Sequence, residues 1–444
     1  IERIGAVKTK KQYMSLINQM NMEGVSFGEL WEYYLGADMM SSTENLLDIS
    51  QGGYTIDRDY YVEQDEAHKN ILDAYSHHVK KMFMLIGLNE SEAEAKMKNV
   101  VALETRMAKA GKPNVELRDP GSNYNKMSFA DFVKEYDGFD WKKYFDTIGL
   151  TDIDYLSVGQ PNALAEAMKV IKEEKLEVLK DAMQWSVLNS AANILGDEVY
   201  AEHFDFNYRV MSGTQQPKPR WKRSVNAVNG VLGEAVGQRQ QAYVQKYFPA
   251  VNKERMEKLV RNLQKALGER IDAQEWMSDS TKAAAHEKLD AFYVKIGYPD
   301  KWRDYSNMTI DLSKSLYENR KEISKWAVAD MIEKKWKKPV DNTEWFMNPQ
   351  TVNAYYNPTT NEICFPAGIL QYPFFDMSAD DAFNYGAIGV VIGHEMSHGF
   401  DDKGRQFDKD GNFRDWWTAG DGEKYNQRAQ VIKDFFSAIK VLPD

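Results

Sequence analysis

The sequence predicts a mainly α-helical protein with two lobes. Apolar residues recur at the three- and four-residue spacing of amphipathic helices over most of the first 338 positions. The proline at 339 ends that pattern, and a short hairpin pattern follows before one more apolar helix. We therefore predict a large helical lobe over residues 1–338 and a smaller lobe of helices and strands over residues 339–444.

The composition is that of a folded, acidic protein. Hydrophobic residues make up 43% and charged residues 28% of the 444 residues, so the chain can bury large cores. The net charge of −11 argues against nucleic acid as a partner, because phosphate binding needs a basic face. The sequence contains no apolar run of about 18 residues, so we expect no membrane span. Cys364 is the only cysteine, which excludes an intramolecular disulfide and leaves the cellular compartment open.

The first 110 residues predict four helices. Two amphipathic helices occupy residues 1–40, and a turn at residues 51–54 separates them from two more that meet at residues 88–89. The apolar faces of the first pair are Met14, Leu16, Ile17 and Met20, and then Phe27, Leu30, Trp31 and Tyr34. These faces indicate that the amino-terminal segment packs into the helical lobe.

The rest of the predicted helical lobe alternates helices with loops. Helices continue to about Tyr208, and residues 213–219 form a linker-like stretch rich in polar residues and proline. A long, charged helical pattern then runs over residues 252–337. It ends at Lys338-Pro339, which we predict as the boundary between the lobes.

A hairpin and a helix follow that boundary. Residues 351–356 and 362–365 have strand character, and the turn residues 357–361 connect them. Ser378 and Asp381 resemble a capping box, which predicts a helix from about Ala379 through His398. The glycines in this helix weaken it, so we expect a neighbouring element to pack closely against them. These glycines are Gly386, Gly389 and Gly393.

His394, Glu395 and His398 form the pattern His-Glu-x-x-His on this helix. A spacing of four residues stacks the two imidazoles on one helix face, where they can bind one Zn²⁺. The glutamate then points towards a water in the open coordination position and can take its proton, which is the chemistry of peptide hydrolysis. The alternative is two histidines on a solvated face. The strongly apolar sequence just before the motif argues against that alternative.

The residues around the motif are distinctive. Gly-Phe-Asp-Asp-x-Gly follows His398, and Asp-Trp-Trp ends at Trp417, while the hairpin reads Asn-Ala-Tyr-Tyr-Asn-Pro over residues 353–358. On these residues the chain resembles the neprilysin and endothelin-converting-enzyme family of zinc metallopeptidases, including bacterial PepO-type oligopeptidases. The resemblance spans most of the chain. It implies a two-lobed zincin fold, with the hairpin next to the His-Glu-x-x-His helix.

The resemblance also implies roles for residues at matching positions. His394 and His398 are expected to bind one Zn²⁺, and Glu395 is expected to be the general base that activates the metal-bound water. Asn353 and Ala354 are expected to hold a peptide substrate as an added strand.

Two further sets of residues have a functional and a structural interpretation. Four residues match the apolar pocket that takes the side chain after the scissile bond, namely Ile369, Phe374, Val390 and Val391. Core packing explains these four equally well. Asp401 or Asp402 is expected to orient a zinc-bound imidazole, and stabilisation of the loop is the alternative.

The chain departs from the family pattern at the third zinc ligand. A catalytic zinc site takes three protein ligands, and in this family the third is a glutamate in a later Glu-x-x-x-Asp motif. The only glutamate after His398 is Glu423, and the residue four positions later is Gln427. We therefore expect an internal fragment of a longer protein, with the truncated catalytic lobe lacking its third-ligand motif. A C-terminal fragment is the partner that would complete the site.

Two functions follow as hypotheses. The first is a zinc-dependent endopeptidase that hydrolyses short peptides on the amino side of hydrophobic residues. The second is a peptide-binding or inactive truncated form with an incomplete metal site. By resemblance alone, we expect the protein outside the cytoplasm, in the bacterial periplasm, in the cell envelope or secreted.

Overall fold

The chain divides into two units, each built from three segments. The computed structural model describes residues 1–25, 30–239, 244 and 246–439. The first unit comprises residues 1–36, 45–227 and 306–339, and the second comprises residues 37–44, 228–305 and 340–444. Helices predominate and strands are few, which confirms the predicted mainly α class. Among the described residues, no helix combines the length and apolar character that a membrane crossing requires.

The two units differ from the two predicted lobes in one long segment. The first unit ends at Pro339, where the sequence predicts the boundary. Residues 228–305, however, belong to the second unit, although the prediction assigned them to the helical lobe. The physical reason is strand pairing, because Tyr293–Gly297 pairs in parallel with Glu362–Pro366 across a separation that local periodicity does not register.

The first unit consists of helices around one four-stranded sheet. Its helices are α1 Glu2–Gly5, α2 Lys10–Met22, α3 Arg58–Val62, α4 Glu66–Leu85, α5 Glu90–Ala110, α6 Asn114–Leu117, α7 Phe129–Glu135, α8 Trp141–Ile148, α9 Pro161–Glu173, α10 Leu176–Ala191, α11 Asp197–Phe204, α12 Arg220–Arg239 and α15 Leu316–Lys335, of which α12 has residues in both units. The strands are β1 Trp31–Asp38, β2 Ser41–Gln51, β3 Lys126–Ser128 and β4 Tyr155–Val158, in the order β1-β2-β4-β3, and β1 and β2 also have residues in both units. Strand β4 is parallel to β2 and antiparallel to β3.

Some strands of this unit lie where the sequence predicts helices. The second predicted helix is wrong, because Trp31, Tyr34 and their neighbours form β1, and Phe27 lies outside the described residues. Strand β4 also interrupts a stretch predicted as helices and loops. Aromatic residues favour strands as well as apolar helix faces, and pairing within the sheet decides between them. The two helices predicted between residues 63 and 110 are confirmed as α4 and α5, and Asn89 forms a capping box with Glu92.

Glu104 is a buried carboxylate in the core of the first unit. Only 5% of the residue is exposed, and three hydroxyls donate to its carboxylate. These come from Thr55 at 2.6 Å, Tyr75 at 2.7 Å and Tyr61 at 2.9 Å. Burial raises the pKa of Glu104 to about 7, although the hydroxyl donors act in the opposite direction.

The second unit places three strands beside a layer of helices. Its other helices are α13 Ala250–Asp272, α14 Asp279–Asp290, α16 Asp381–Gly386, α17 Ile388–His398 and α18 Ala419–Ser437. Its strands are β5 Tyr293–Gly297, β6 Tyr355–Asn357 and β7 Glu362–Pro366, in the order β5-β7-β6. The predicted hairpin is present as β6 and β7, and β6 contacts α17 as expected. The core between sheet and helices includes Ile363, Phe365, Ile388, Ile392 and Met396.

The helix that carries the motif is shorter than predicted. Asp380, and not Ser378, caps α16, and the helix breaks at Ala387 before α17 begins. The break arises because the Ile388 N–H bonds to the Phe374 carbonyl at 2.8 Å, outside the helical pattern. The predicted single helix is therefore two helices.

The glycines of these helices are less crowded than predicted. A methyl group on Gly389 would make ordinary contact at 3.6 Å with Leu263 of α13. Methyl groups on Gly386 and Gly393 would meet nothing within 4 Å, so the predicted close packing is wrong at these two positions. The structure shows no packing reason for glycine at either of them.

Candidate metal centre

The two histidines of the motif converge at the carboxyl-terminal end of α17. The Nε2 atoms of His394 and His398 lie 3.1 Å apart, and the ring planes are nearly perpendicular. Two nitrogens bound to one tetrahedral Zn²⁺ at about 2.0–2.1 Å would lie roughly 3.3 Å apart. The spacing of the imidazoles therefore fits a shared Zn²⁺ ion.

The Asp401 carboxylate contacts one of these imidazoles. Its Oδ2 atom lies 2.7 Å from Nδ1 of His398, and its Oδ1 accepts the backbone N–H groups of Lys403 and Gly404. A carboxylate at Nδ1 favours the tautomer in which Nδ1 carries the proton and Nε2 offers a lone pair. Asp402, the other candidate, is exposed, and its carbonyl accepts a bond from Gln406. The geometry thus favours Asp401 over Asp402 as the orienting residue.

Glu395 lies beside the histidines but on the buried side of the helix. Only 6% of the residue is exposed, and its carboxylate lies within 4.8 Å of the ring nitrogens of His394 and His398. Burial raises the pKa of Glu395, whereas the two histidines and the backbone N–H of Tyr356 lower it. The Tyr356 N–H belongs to β6, so the carboxylate lies beside the hairpin.

The described residues provide two imidazoles and one carboxylate at this centre. In the part of the chain that the structure describes, His394, Glu395 and His398 are the group of His, Cys, Asp and Glu that could hold a metal ion. Glu423 is exposed on α18 and is not part of that group. The arrangement can supply two zinc ligands and a base.

Asn353 and Ala354 precede β6, the edge strand of the sheet. Asn353 is exposed, and its Oδ1 accepts the backbone N–H of Ala354 at 2.9 Å. Ala354 itself is buried in the core. Within the described residues, β6 pairs with β7 on one side only, so its outer edge can accept another strand.

The four predicted pocket residues do not share one environment. Ile369 is buried in the core, and Phe374 and Val391 pack partly buried against it. Val390 is 67% exposed and lies one helical turn before His394. The structure therefore brings only Val390 to the open surface on the histidine side of α17.

Lys288 is a buried residue near this centre that the sequence interpretation did not single out. It lies on α14 and is 1% exposed, and its ammonium donates to the carbonyls of Gly404 at 2.7 Å and Phe407 at 2.6 Å. Burial lowers the pKa of Lys288 to about 7. One signal was available, since Lys288 falls on the buried stripe of Thr281 and Ala285 at helical spacing.

The chain is similar to peptidases over nearly its whole length. Two family models, both described as peptidase family M13, match residues 1–299 and 353–443. The neutral endopeptidase of Lactobacillus helveticus is 33% identical over 408 residues, which are 92% of this chain and 62% of that protein. Endothelin-converting enzyme 1 of Mus musculus is 32% identical over 428 residues, which are 92% of this chain and 54% of that protein. The chain thus spans less than two thirds of the length of these relatives.

Solved structures show the same similarity. The crystal structure of the Mycobacterium tuberculosis zinc metalloprotease Zmp1 with an inhibitor matches with a TM-score of 0.92 and 37% identity, over 99% of this chain and 66% of that one. The crystal structure of PepO from Lactobacillus rhamnosis matches with a TM-score of 0.88 and 25% identity, over 96% of this chain and 67% of that one. Both likenesses cover the two units and the candidate metal centre.

Proposed function

The chain belongs to peptidase family M13, and from that premise we propose that it provides most of the active site of a zinc-dependent endopeptidase. The substrates we propose are short peptides, cleaved on the amino side of hydrophobic residues. The observation that carries the proposal is the pair of Nε2 atoms 3.1 Å apart, with the buried Glu395 carboxylate beside them. A solvated pair of histidines would not explain the buried carboxylate or the Asp401 contact to His398.

The residues of this centre have distinct proposed roles. His394 and His398 would hold Zn²⁺ through Nε2, and Asp401 keeps His398 in the tautomer that leaves Nε2 free. When bound, Zn²⁺ supplies a Lewis acid that polarises a carbonyl and lowers the pKa of a water molecule. Glu395 would accept the proton of the attacking water and deliver it to the nitrogen of the leaving amine. Burial raises the pKa of this carboxyl group, which makes its ionised form a stronger proton acceptor.

The hairpin supports binding of an extended peptide. The outer edge of β6 offers main-chain groups, and a peptide bound there as an added strand would be recognised largely independently of its sequence. The Tyr356 N–H that lies close to Glu395 belongs to this same strand. An added strand would therefore run close to the proposed base, with Asn353 at its flank.

A preference for hydrophobic side chains is a finer part of the proposal. Its support is the exposed, apolar Val390 on the histidine side of α17. Phe374 adjoins the start of this helix through its carbonyl, which accepts the Ile388 N–H. The preference for short peptides and the extracytoplasmic location rest on the family resemblance and stay predictions.

We also propose that another segment supplies the third zinc ligand. A catalytic zinc site takes three protein ligands, and the described residues provide two imidazoles besides the base. The C-terminal fragment named in the sequence analysis is the proposed source. The same observation favours the alternative function, in which the two histidines hold metal weakly and peptides bind without being cut.

Substitution of the proposed base tests this function. Glu395→Gln removes the proton acceptor but leaves both imidazoles, so we expect stoichiometric zinc and a loss of peptide hydrolysis by a factor of about 10² to 10⁴. Metal analysis and a quenched fluorescent peptide measure the two quantities. Glu423→Gln, the same change at the exposed glutamate of α18, is the matched control and should keep wild-type hydrolysis.

Two outcomes would contradict the proposal. Hydrolysis at the wild-type rate by the Glu395→Gln variant would exclude Glu395 as the base. A zinc-loaded wild-type protein that binds peptides and does not cleave them would support the binding function instead.

A further inference from the structure

Lys288 holds both ends of the turn that follows the metal helix. Its ammonium donates to the carbonyl of Gly404, which begins the 3₁₀ turn Gly404–Gln406, and to the carbonyl of Phe407, which follows it. The Phe407 carbonyl also accepts the indole N–H of Trp416 at 2.8 Å. Burying an ammonium is costly unless its protons are bonded, so these two contacts set where the turn can lie.

This 3₁₀ turn sets the position of Asp401. The Gly404 N–H donates to Oδ1 of Asp401 at 2.8 Å, and Oδ2 of that carboxylate lies 2.7 Å from Nδ1 of His398. Gly404 also packs against the end of α17 so closely that a methyl group there would lie 1.7 Å from the His398 carbonyl oxygen. A shift of the turn would therefore move Asp401 relative to the His398 imidazole.

Lys288 also contacts the hairpin on the other side of the centre. Its ammonium lies 5.8 Å from the centre of the Tyr356 ring, and its backbone carbonyl accepts Nδ2 of Asn361 at 3.1 Å. The Tyr356 hydroxyl donates to Oδ1 of the same Asn361 at 3.0 Å. Lys288 thus joins the turn beyond the metal helix to the strand whose N–H reaches Glu395.

We propose that Lys288 is a positioning residue for the metal centre, which acts through the 404–407 turn and Asp401 on His398. The inference rests on the proposed zinc site and adds a residue that lies outside the motif, about 110 positions earlier in the chain. A purely structural lysine would stabilise the second unit and leave the imidazole unaffected. The two roles differ in what they do to metal affinity.

Zinc affinity in the full-length protein distinguishes these roles. We expect Lys288→Met to weaken Zn²⁺ binding about 10- to 100-fold, as is typical when a residue supporting a metal ligand is lost. Competition with a chromophoric chelator measures the affinity, and the visible spectrum of the Co²⁺-substituted protein reports the ligand geometry. We expect that spectrum to change together with the affinity.

A double substitution tests the route through Asp401. If Lys288 acts through Asp401, the Lys288→Met/Asp401→Ala protein should bind Zn²⁺ no more weakly than Asp401→Ala alone. Additive losses of Zn²⁺ affinity in the double variant would overturn the proposal. Wild-type Zn²⁺ affinity in the Lys288→Met protein would also overturn it. Lys288→Gln keeps a neutral donor of shorter reach and replaces the methionine variant if that variant does not fold.

Lys295→Met is the matched control. Lys295 is also buried in the second unit, and its ammonium donates to the Glu362 carboxylate and the Glu344 carbonyl. We expect this variant to lose stability and to keep wild-type zinc affinity and Co²⁺ spectrum. An equal loss of affinity in both lysine variants would overturn the proposal in favour of general destabilisation.

A zinc-loaded wild type without hydrolysis would contradict only the proposed function, since the affinities remain measurable.

Discussion

Glu104 in the first unit and Glu395 in the second are both buried carboxylates, but their surroundings differ. Three hydroxyls donate to Glu104, from Thr55, Tyr61 and Tyr75. Glu395 lies near the backbone N–H of Tyr356 and within 4.8 Å of the ring nitrogens of two histidines. Burial raises the pKa of both groups.

The difference shows that burial alone does not mark a catalytic carboxylate. A carboxylate has about four lone-pair positions, and donors occupy most of them at Glu104. At Glu395 most stay open towards the proposed metal and water. A structural carboxylate has its hydrogen bonds satisfied within the fold, whereas a base keeps acceptor capacity for the proton that it removes from the attacking water.

The largest expected effect comes from shortening each carboxylate by one methylene. Glu395→Asp withdraws the carboxylate from the imidazoles, so we expect peptide hydrolysis to fall about 10²-fold or more. Glu104→Asp should leave kcat unchanged, because the first unit carries none of the proposed site residues. Steady-state kinetics on one fluorogenic peptide measure both variants. A loss of kcat in the Glu104 variant would contradict the view that Glu104 is a purely structural carboxylate.

Removal of each side chain should give the opposite ranking in stability. Glu104→Ala leaves three hydroxyls without their acceptor and opens a cavity, so we expect a loss of about 3 kcal/mol in the free energy of unfolding. Glu395→Ala should change it by less than about 1 kcal/mol, because that carboxylate contributes few internal bonds. Urea unfolding followed by tryptophan fluorescence measures both. Equal losses would show that Glu395 is also a structural carboxylate.

The smallest expected effect is the pH dependence of stability that arises from Glu104. Folding raises the pKa of Glu104 from 4.5 to about 7. Between these two pH values the folded state therefore keeps a proton that the unfolded state has released. The contribution of Glu104 to stability is therefore most favourable below pH 4.5 and declines as the pH rises through 7. Between pH 6 and 8 the wild type should lose about 1 kcal/mol relative to Glu104→Gln. The prediction would be contradicted if the free energies of unfolding of the two proteins changed with pH by the same amount.

The sequence predicted the helical class, the hairpin and the motif helix because these depend on local spacing. The four-residue step between His394 and His398 fixes the distance between their rings on any helix. The choice between Asp401 and Asp402 was not decidable, because it depends on how the chain turns after α17. The contact between Asp401 and Nδ1 of His398, held by the backbone bonds from Lys403 and Gly404, shows which carboxylate faces the imidazole.

Long-range pairing explains what could not be predicted. Strand β5 is short and lies within a charged helical pattern, and it forms because β7 pairs with it far along the chain. Its pairing also draws residues 228–305 into the second unit. The helical spacing of Lys288 from Thr281 and Ala285 was the one sequence signal for its burial, and the packing of α14 against the turn after α17 shows what its ammonium contacts.

The close approach of Gly404 to α17 has a consequence for library design and for natural variation. Any other residue at 404 would place a carbon against the His398 carbonyl, so we expect a single amino-acid change there to displace the turn while both histidines stay in the sequence. Gly386 and Gly393 face open space in the same segment. A mutagenesis library that varies these two positions and leaves Gly404 unchanged should therefore contain more folded variants than one that also varies Gly404.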